Sequence, residues 1–232
     1  MPTVRRLALA LAALGVLAFA SLAVASSIKE FGVDNAEKFQ KPGCPQPNTC
    51  EAIGQVTGFQ TRIGKAKDPY VIHRKGKIVA FTIALSKPSK KQIRFFTNLY
   101  GPTPKARISV LRLSDHNRKA KLVAQSGNWN LKPYLGSTPT FALDKPLRVT
   151  GKSVVALTVP TWAPAFTVHL PNSYRWRASR PSTGCGDVEQ QAAHQQLKTT
   201  RAYGCQYKTA RMLYSASFVP DPRPTSGTTK TK

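Results

Sequence analysis

Acidic side chains are scarce in this sequence. Its 232 residues include ten Asp and Glu against 35 Lys and Arg, which gives a formal net charge of +25 at pH 7. Three of the ten acids fall within residues 26–40, and the others are isolated. A glycoside hydrolase usually needs two carboxylates at a set separation, so the sequence offers few candidate pairs for that chemistry.

Local catalytic motifs are also missing. There is no Gly-x-Ser-x-Gly elbow, and the four histidines are scattered. Gly151-Lys152-Ser153 matches the end of a phosphate-binding loop, but Pro146 stands where that motif needs a glycine. We therefore predict a non-enzymatic protein with no catalytic residue, cofactor or metal. A hydrolase remains an alternative, because a Ser-His-acid triad can assemble from residues far apart in sequence.

Long apolar runs are absent except for one near the N-terminus, over residues 7–24. Arg5-Arg6 precedes it, and it ends in the small-x-small site Ala23-Val24-Ala25. This order predicts a cleavable secretory signal peptide over residues 1–25. An uncleaved anchor is the alternative, since roughly 20 apolar residues span a bilayer. We expect a secreted protein, extracellular or associated with the cell wall.

Cysteine is limited to four residues, Cys44, Cys50, Cys185 and Cys205. An even number in an exported chain favours disulfides. Of the three possible pairings we predict the sequence-local one, Cys44–Cys50 with Cys185–Cys205, because the turn residues between the first two let them meet. A zinc site is the alternative, although the CxxC-like spacing or clustered histidines that it would need are not present.

The remaining chain divides by composition. Residues 26–43 are polar and mixed, which predicts a linker or mobile arm, and residues 44–218 contain the β-forming runs of one domain. Residues 219–232 are rich in Pro and Thr and predict a disordered tail. Because the leader carries two arginines and no acid, its removal leaves a charge of +23.

Short runs of β-forming residues alternate with Gly, Pro and Asn turns along the domain. The strongest covers residues 77–85, with a period of two. The other runs are 93–100, 106–113, 121–126, 141–143, 146–149, 153–159 and 211–218. Without a long amphipathic helix, this spacing predicts an all-β, jelly-roll-like two-sheet antiparallel β-sandwich of about nine or ten strands with disordered termini.

The order of several segments carries a resemblance. These are Cys44…Cys50, GKIVAF at 76–81, RISVLR at 107–112, LVAQS at 122–126, FAL…PLRV at 141–149 and GKSVVAL at 151–157. Together they resemble a diffuse, mostly uncharacterised group of exported jelly-roll-like domains of high-GC bacteria, similar in layout to carbohydrate-binding modules. The resemblance covers roughly residues 44–218 and implies the fold, but it brings no catalytic residues.

Aromatic residues in turns or beside arginine are the candidate ligand-binding residues. They are Trp129, Tyr134, Trp162 and Trp176, with Arg175 and Arg177 flanking the last. Sugar rings stack on exposed aromatics, and arginine grips carboxylate or phosphate with two parallel hydrogen bonds. Core packing is the alternative for each tryptophan, because buried aromatics dominate sandwich cores.

The positive charge indicates the class of partner. Basic residues spread over the whole domain attract polyanions at long range, and salt weakens that attraction. We therefore predict a monomeric protein that binds an anionic polysaccharide or cell-wall polymer, with no specific nucleic acid as partner. The alternative is a structural or protein-interaction domain whose charge only sets solubility and retention.

Overall fold

The computed structural model describes residues 28–32, 39–46, 50–114, 118–186 and 192–222. The predicted signal peptide lies outside the described residues, as do residues 223–232 of the predicted tail. Within the described part the protein is mostly β, and every paired strand is antiparallel. This confirms the all-β class.

Sixteen strands, one α-helix and two short 3-10 helices occur in the described residues. The helices are α1 (Lys90–Tyr100) and the 3-10 segments Lys132–Tyr134 and Ser182–Gly184. The strands are β1 (Lys29–Phe31), β2 (Ile53–Ile63), β3 (Ala66–Lys67), β4 (Val71–Ile72), β5 (Lys75–Ile83), β6 (Lys105–Ser114), β7 (Lys119–Gln125), β8 (Trp129–Asn130), β9 (Thr140–Thr150), β10 (Ser153–Ala163), β11 (Phe166–Thr167), β12 (Arg175–Ala178), β13 (Thr200–Ala202), β14 (Cys205–Lys208), β15 (Arg211–Met212) and β16 (Tyr214–Pro220).

The strands form two main sheets that share one core. The smaller has the order β1-β16-β5-β9, and the larger runs β13-β7-β6-β10-β2-β12-β14 with β3, β4 and β8 beside it. One cluster of buried side chains includes Phe81 and Phe218 from the smaller sheet and Val110, Leu157 and Val56 from the larger. Burying these apolar side chains together is the main force that stabilises the fold.

Residues 93–100 form most of α1, so the strand predicted there is wrong. Ser89 caps the helix, because its Oγ accepts from the Gln92 backbone N–H while the Gln92 Oε1 accepts from the Ser89 N–H. This capping box satisfies two N–H groups that a helix start leaves unpaired. The aromatic composition suits a strand, but Ile93, Phe96 and Tyr100 recur at helical spacing and pack around Trp162.

The domain extends beyond the predicted boundaries at both ends. β1 pairs with β16, with Lys29 opposite Phe218, although it falls within the stretch predicted to be a linker or mobile arm. Farther along that stretch, the Gln40 side chain accepts a hydrogen bond from Arg211. At the other end, β16 continues to Pro220, inside the predicted tail.

The two disulfides are those predicted. Cys44 is bonded to Cys50 and Cys185 to Cys205, with Cα–Cα distances of 4.1 and 5.3 Å. Such pairing indicates an oxidising environment. In the part of the chain that the structure describes, no helix has the length and apolar character to cross a membrane.

Candidate functional site

A cleft of about 370 Å³ opens between the end of β7, the start of β8 and the middle of β9. We call it the Trp129 cleft; its lining residues are Gln125, Ser126, Gly127, Asn128, Trp129, Leu143, Asp144, Lys145 and Leu147. One wall is the turn that leaves β7, and β8 holds this wall in place by pairing Trp129 with Ala106 of β6. The opposite wall comes from the smaller sheet, so the cleft lies where the two sheets meet at their margins.

Trp129 is held firmly but remains partly exposed. Its ring stacks on Phe141 with centroids 4.6 Å apart and planes 27° apart. Tyr134 meets Phe141 from another direction, edge-on at 5.1 Å, and is 39% exposed. The structure therefore brings these two predicted residues together around one phenyl ring, although only Trp129 lines the cleft.

A buried arginine supports the polar side chains of the cleft. Arg107 is 7% exposed; its Nη1 donates to Asn128 Oδ1 at 3.3 Å and its Nη2 to Gln195 Oε1 at 3.4 Å. Gln125 Nε2 donates to the Gln195 carbonyl at 2.9 Å, while Gln125 Oε1 is buried without a partner among the described residues. Burial lowers the pKa of Arg107, yet guanidinium stays protonated in proteins, so it adds positive charge behind the cleft.

The exposed rim of the cleft carries one charge of each sign. Asp144 and Lys145 are neighbours in β9, and both are exposed. With Asn128 they provide amide, carboxylate and ammonium groups on the same lining as the partly exposed indole of Trp129. That set can hydrogen-bond hydroxyl groups, stack a ring and attract a negative substituent. It contains no pair of carboxylates.

Trp162 is not part of a binding surface, which corrects its prediction as a stacking residue. It is 0% exposed, packs on Phe96 at 5.4 Å and donates from Nε1 to the Gly101 carbonyl at 3.1 Å. The proline-framed segment around it continues β10 as far as Ala163. Trp162 therefore fixes α1 against the larger sheet.

The aromatic and basic residues of β12 are separated by the pleat of the strand. Successive side chains in a strand point to opposite faces, so Trp176 joins the core while Arg175 and Arg177 are only partly buried. Arg175 Nε donates to the Asn172 carbonyl and Arg177 Nη1 to the Tyr203 carbonyl, both at 3.0 Å. The strand therefore does not present these three side chains as one surface.

His194 belongs to a buried polar layer on the larger sheet. Its backbone N–H donates to Thr57 Oγ1 at 2.9 Å, and its ring nitrogens lie 3.2 Å from Tyr203 Oη and 3.0 Å from Thr199 Oγ1. Burial, aided by the positive charge of Arg201, lowers the pKa of His194 to about 4, which keeps the ring neutral at pH 7. Both ring nitrogens lie beside hydroxyl groups, an arrangement that is typical of a histidine with a structural role in a packed loop.

The sequence predicted one residue of the cleft, Trp129. Arg107 and Gln125 fall within predicted β-forming runs, and Asp144 and Lys145 fall between two of them. The polar turn Gly127-Asn128 beside an aromatic residue was the available signal. Among the described residues, no three His, Cys, Asp or Glu side chains are grouped so that they could hold a metal ion.

Comparison with protein-family models, curated proteins and solved structures finds no match for this chain. Its function therefore has to be inferred from the composition of the site and the charge around it.

Proposed function

We propose that this protein is a non-enzymatic, exported, jelly-roll-like β-sandwich that binds an anionic extracellular or cell-envelope glycan in the Trp129 cleft. The observation that carries the proposal is the half-buried Trp129, fixed on Phe141 in a cleft of about 370 Å³ lined by amide and charged side chains. A fixed aromatic ring loses little entropy when it stacks on a sugar. The amide of Asn128 and the carboxylate of Asp144, both exposed, suit its hydroxyl groups.

Charge supports an anionic ligand over a neutral one. The net charge of +25 attracts polyanions from a distance. At the cleft, Lys145 stands on the rim, and Arg107 lies behind Asn128 with amide oxygens as its partners. A uronate or phosphate group on the glycan would meet Lys145 and be attracted by the charge of Arg107 behind Asn128, while Asp144 would bond the sugar hydroxyls.

Export and sandwich layout have separate support. Two disulfides fit an oxidising compartment, and the leader-like residues 1–25 fit secretion. Buried residues from both main sheets meet in one core, as they do in a two-sheet sandwich.

A protein-interaction role is the second candidate, favoured by one surface. On α1, Phe95 is 61% and Leu99 51% exposed, and Lys91 and Arg94 lie beside them. Large apolar side chains exposed side by side are typical of contact surfaces. This surface shares no residue with the Trp129 cleft, so the two candidates can be separated by substitution.

Binding of the full chain to an acidic polysaccharide, alginate, tests the proposal, with dextran as the neutral counterpart. We expect alginate to bind at low salt and Trp129→Ala to weaken the binding about tenfold, since a stacking contact and its buried area are lost. Phe95→Ala removes an exposed aromatic ring outside the cleft and should leave the affinity unchanged.

Equal alginate binding by the wild type and Trp129→Ala would show that the cleft is not the binding site and that charge alone holds the polysaccharide. No alginate binding at low salt, or equal binding of dextran, would contradict the anionic glycan itself. Loss of binding in Phe95→Ala instead would favour the α1 surface.

A further inference from the structure

A second, smaller cavity of about 130 Å³ lies beneath the start of β2 and the end of α1. Its lining residues are Ala52, Ile53, Gly54, Val56, Tyr100, Phe166, Trp176, Arg180 and Tyr207. It shares no residue with the Trp129 cleft. Ala52, Tyr100 and Tyr207 are only partly buried, so the cavity reaches solvent on their side.

Two hydrogen-bond donors of this lining have no partner. Trp176 is 7% and Arg180 8% exposed, and the Nε1 of the first and the Nε of the second are buried without an acceptor in the described structure. An indole N–H and a guanidinium N–H can only donate. Leaving them unpaired is costly, because each has lost its hydrogen bonds to water.

The charge of Arg180 is also poorly matched. Within the described part of the chain its guanidinium forms one hydrogen bond, from Nη1 to Tyr207 Oη at 2.8 Å, and that hydroxyl donates to the Cys185 carbonyl at 2.8 Å. Among the described residues no Asp or Glu forms an ion pair with Arg180; Glu51, near the cavity in sequence, is exposed and forms none. Buried charges are normally paired or bonded to several acceptors.

Two other buried arginines show what sets Arg180 apart. The Nε of Arg107 and of Arg211 is likewise without a partner, yet each of these guanidinium groups donates to two oxygens. Arg180 donates to one, and it alone of the three lines a cavity beside another unpaired donor.

Aromatic and aliphatic side chains form most of the remaining lining. Trp176 stacks on Tyr207 at 4.7 Å and meets Phe166 edge-on at 5.7 Å. Gly54 lets the Tyr100 ring lie against the β2 backbone, since a Cβ there would come within 2.6 Å of that ring. The site thus combines a buried cation with aromatic walls.

We propose that this cavity binds the carboxylate group of a small organic acid. The carboxylate lies beside the Arg180 guanidinium and the Trp176 indole, the two lining groups with an unpaired donor, and the short carbon chain of the ligand lies against Tyr100 and Phe166. A water molecule occupies roughly 30 Å³ in the liquid, so about 130 Å³ suits an acid of a few heavy atoms. The site is independent of the glycan proposal.

Calorimetric titration of the full chain with propionate tests this site, with propionamide as the uncharged ligand of the same shape and inorganic phosphate as the other anion. We expect propionate to bind the wild type, and propionamide and phosphate to bind at least about tenfold more weakly. Arg180→Met should weaken propionate at least about tenfold and Trp176→Phe, which keeps an aromatic ring, several-fold. Arg175→Gln removes a nearby charge outside the cavity and should change nothing.

Circular dichroism establishes which variants are folded; if Arg180→Met does not fold, Trp176→Phe decides the result. Undiminished propionate binding by the folded variants would overturn the proposal. The proposal would also be overturned if propionate did not bind and a high-resolution structure showed only water in the cavity. Phosphate binding as tightly as propionate would overturn it as well. Weaker binding in both variants but not in Arg175→Gln would support it.

Discussion

Arg211 and Arg180 are both buried, and the structure treats them differently. Arg211 donates to the Gln40 side chain at 3.1 Å and the Gly32 carbonyl at 2.8 Å, and its guanidinium carbon lies 5.8 Å from the centre of the Phe39 ring. Arg180 has one neutral acceptor and a cavity beside it. In a chain poor in acids, neutral oxygens take the place of carboxylates around buried cations. Where two oxygens accept from the guanidinium, as at Arg211, the arginine is structural, and where one does, as at Arg180, it can bind a ligand.

Replacing Arg211 should have the largest effect on stability. Arg211→Met removes the two bonds that hold the segment before β2, and leaves the Gly32 carbonyl without this donor. Since hydrogen bonds to charged groups contribute about 1.5–3 kcal/mol each, we expect a loss of about 3 kcal/mol in the free energy of unfolding by urea titration. Arg112→Met, an exposed arginine, is the control and should stay within about 0.5 kcal/mol. A loss below about 1 kcal/mol for Arg211→Met would show that this anchoring is weak.

His194 can be compared with the two arginines, because it is also a buried basic side chain but, unlike them, can be neutral. Burial holds the pKa of its ring at about 4 in the folded protein, below the usual 6.5, with Arg201 contributing. Between these values the unfolded chain binds the proton and the folded chain does not, so stability is complete above pH 6.5 and falls as the pH drops toward 4. We expect a loss of about 2 kcal/mol between pH 7 and pH 4.5, measured by urea unfolding.

The matched variant for this effect is His194→Gln, which keeps a polar side chain but has no proton to gain in this range. Carboxylates titrate in the same window in both proteins, so the difference between the two pH profiles isolates the histidine. Parallel profiles would mean that the ring is not kept neutral in the folded state.

The sequence predicted β5 and β10, in which both faces are apolar, and missed β2, in which glycines and polar residues interrupt the apolar pattern. β5 and β10 are rich in Val, Ile and Leu, so their composition is decisive. β2 lies at the centre of the larger sheet, but carries Gly54, Gly58 and Thr57. Its polarity is explained only by tertiary contacts: Thr57 Oγ1 lies 2.9 Å from Thr158 Oγ1 and accepts from the His194 N–H. No local sequence pattern reveals that the loop containing His194 packs on this face of β2.

The candidate binding residues also divide into those that the local sequence predicts and those that depend on tertiary contacts. The Gly-Asn turn around Trp129 has a local reason to lie at the surface, and the residue lines a cleft. The prolines around Trp162 predict a loop equally well, but the buried side of α1 covers that ring. The Arg180 cavity is assembled from β2, α1, β11, β12 and β14, so its composition becomes visible only in the folded chain.

Replacing Arg180 should have the smallest effect on stability, which is the sharpest contrast with Arg211. In Arg180→Met the Tyr207 hydroxyl keeps its bond to the Cys185 carbonyl, and an under-matched buried charge is exchanged for an apolar side chain of similar length. Such exchanges are often neutral or stabilising, so we expect the free energy of unfolding to change by less than about 1 kcal/mol, measured beside Arg211→Met under the same conditions. A loss as large as that of Arg211→Met would mean that Arg180 already has its full complement of partners, and the cavity would then have no unmatched charge with which to hold a carboxylate.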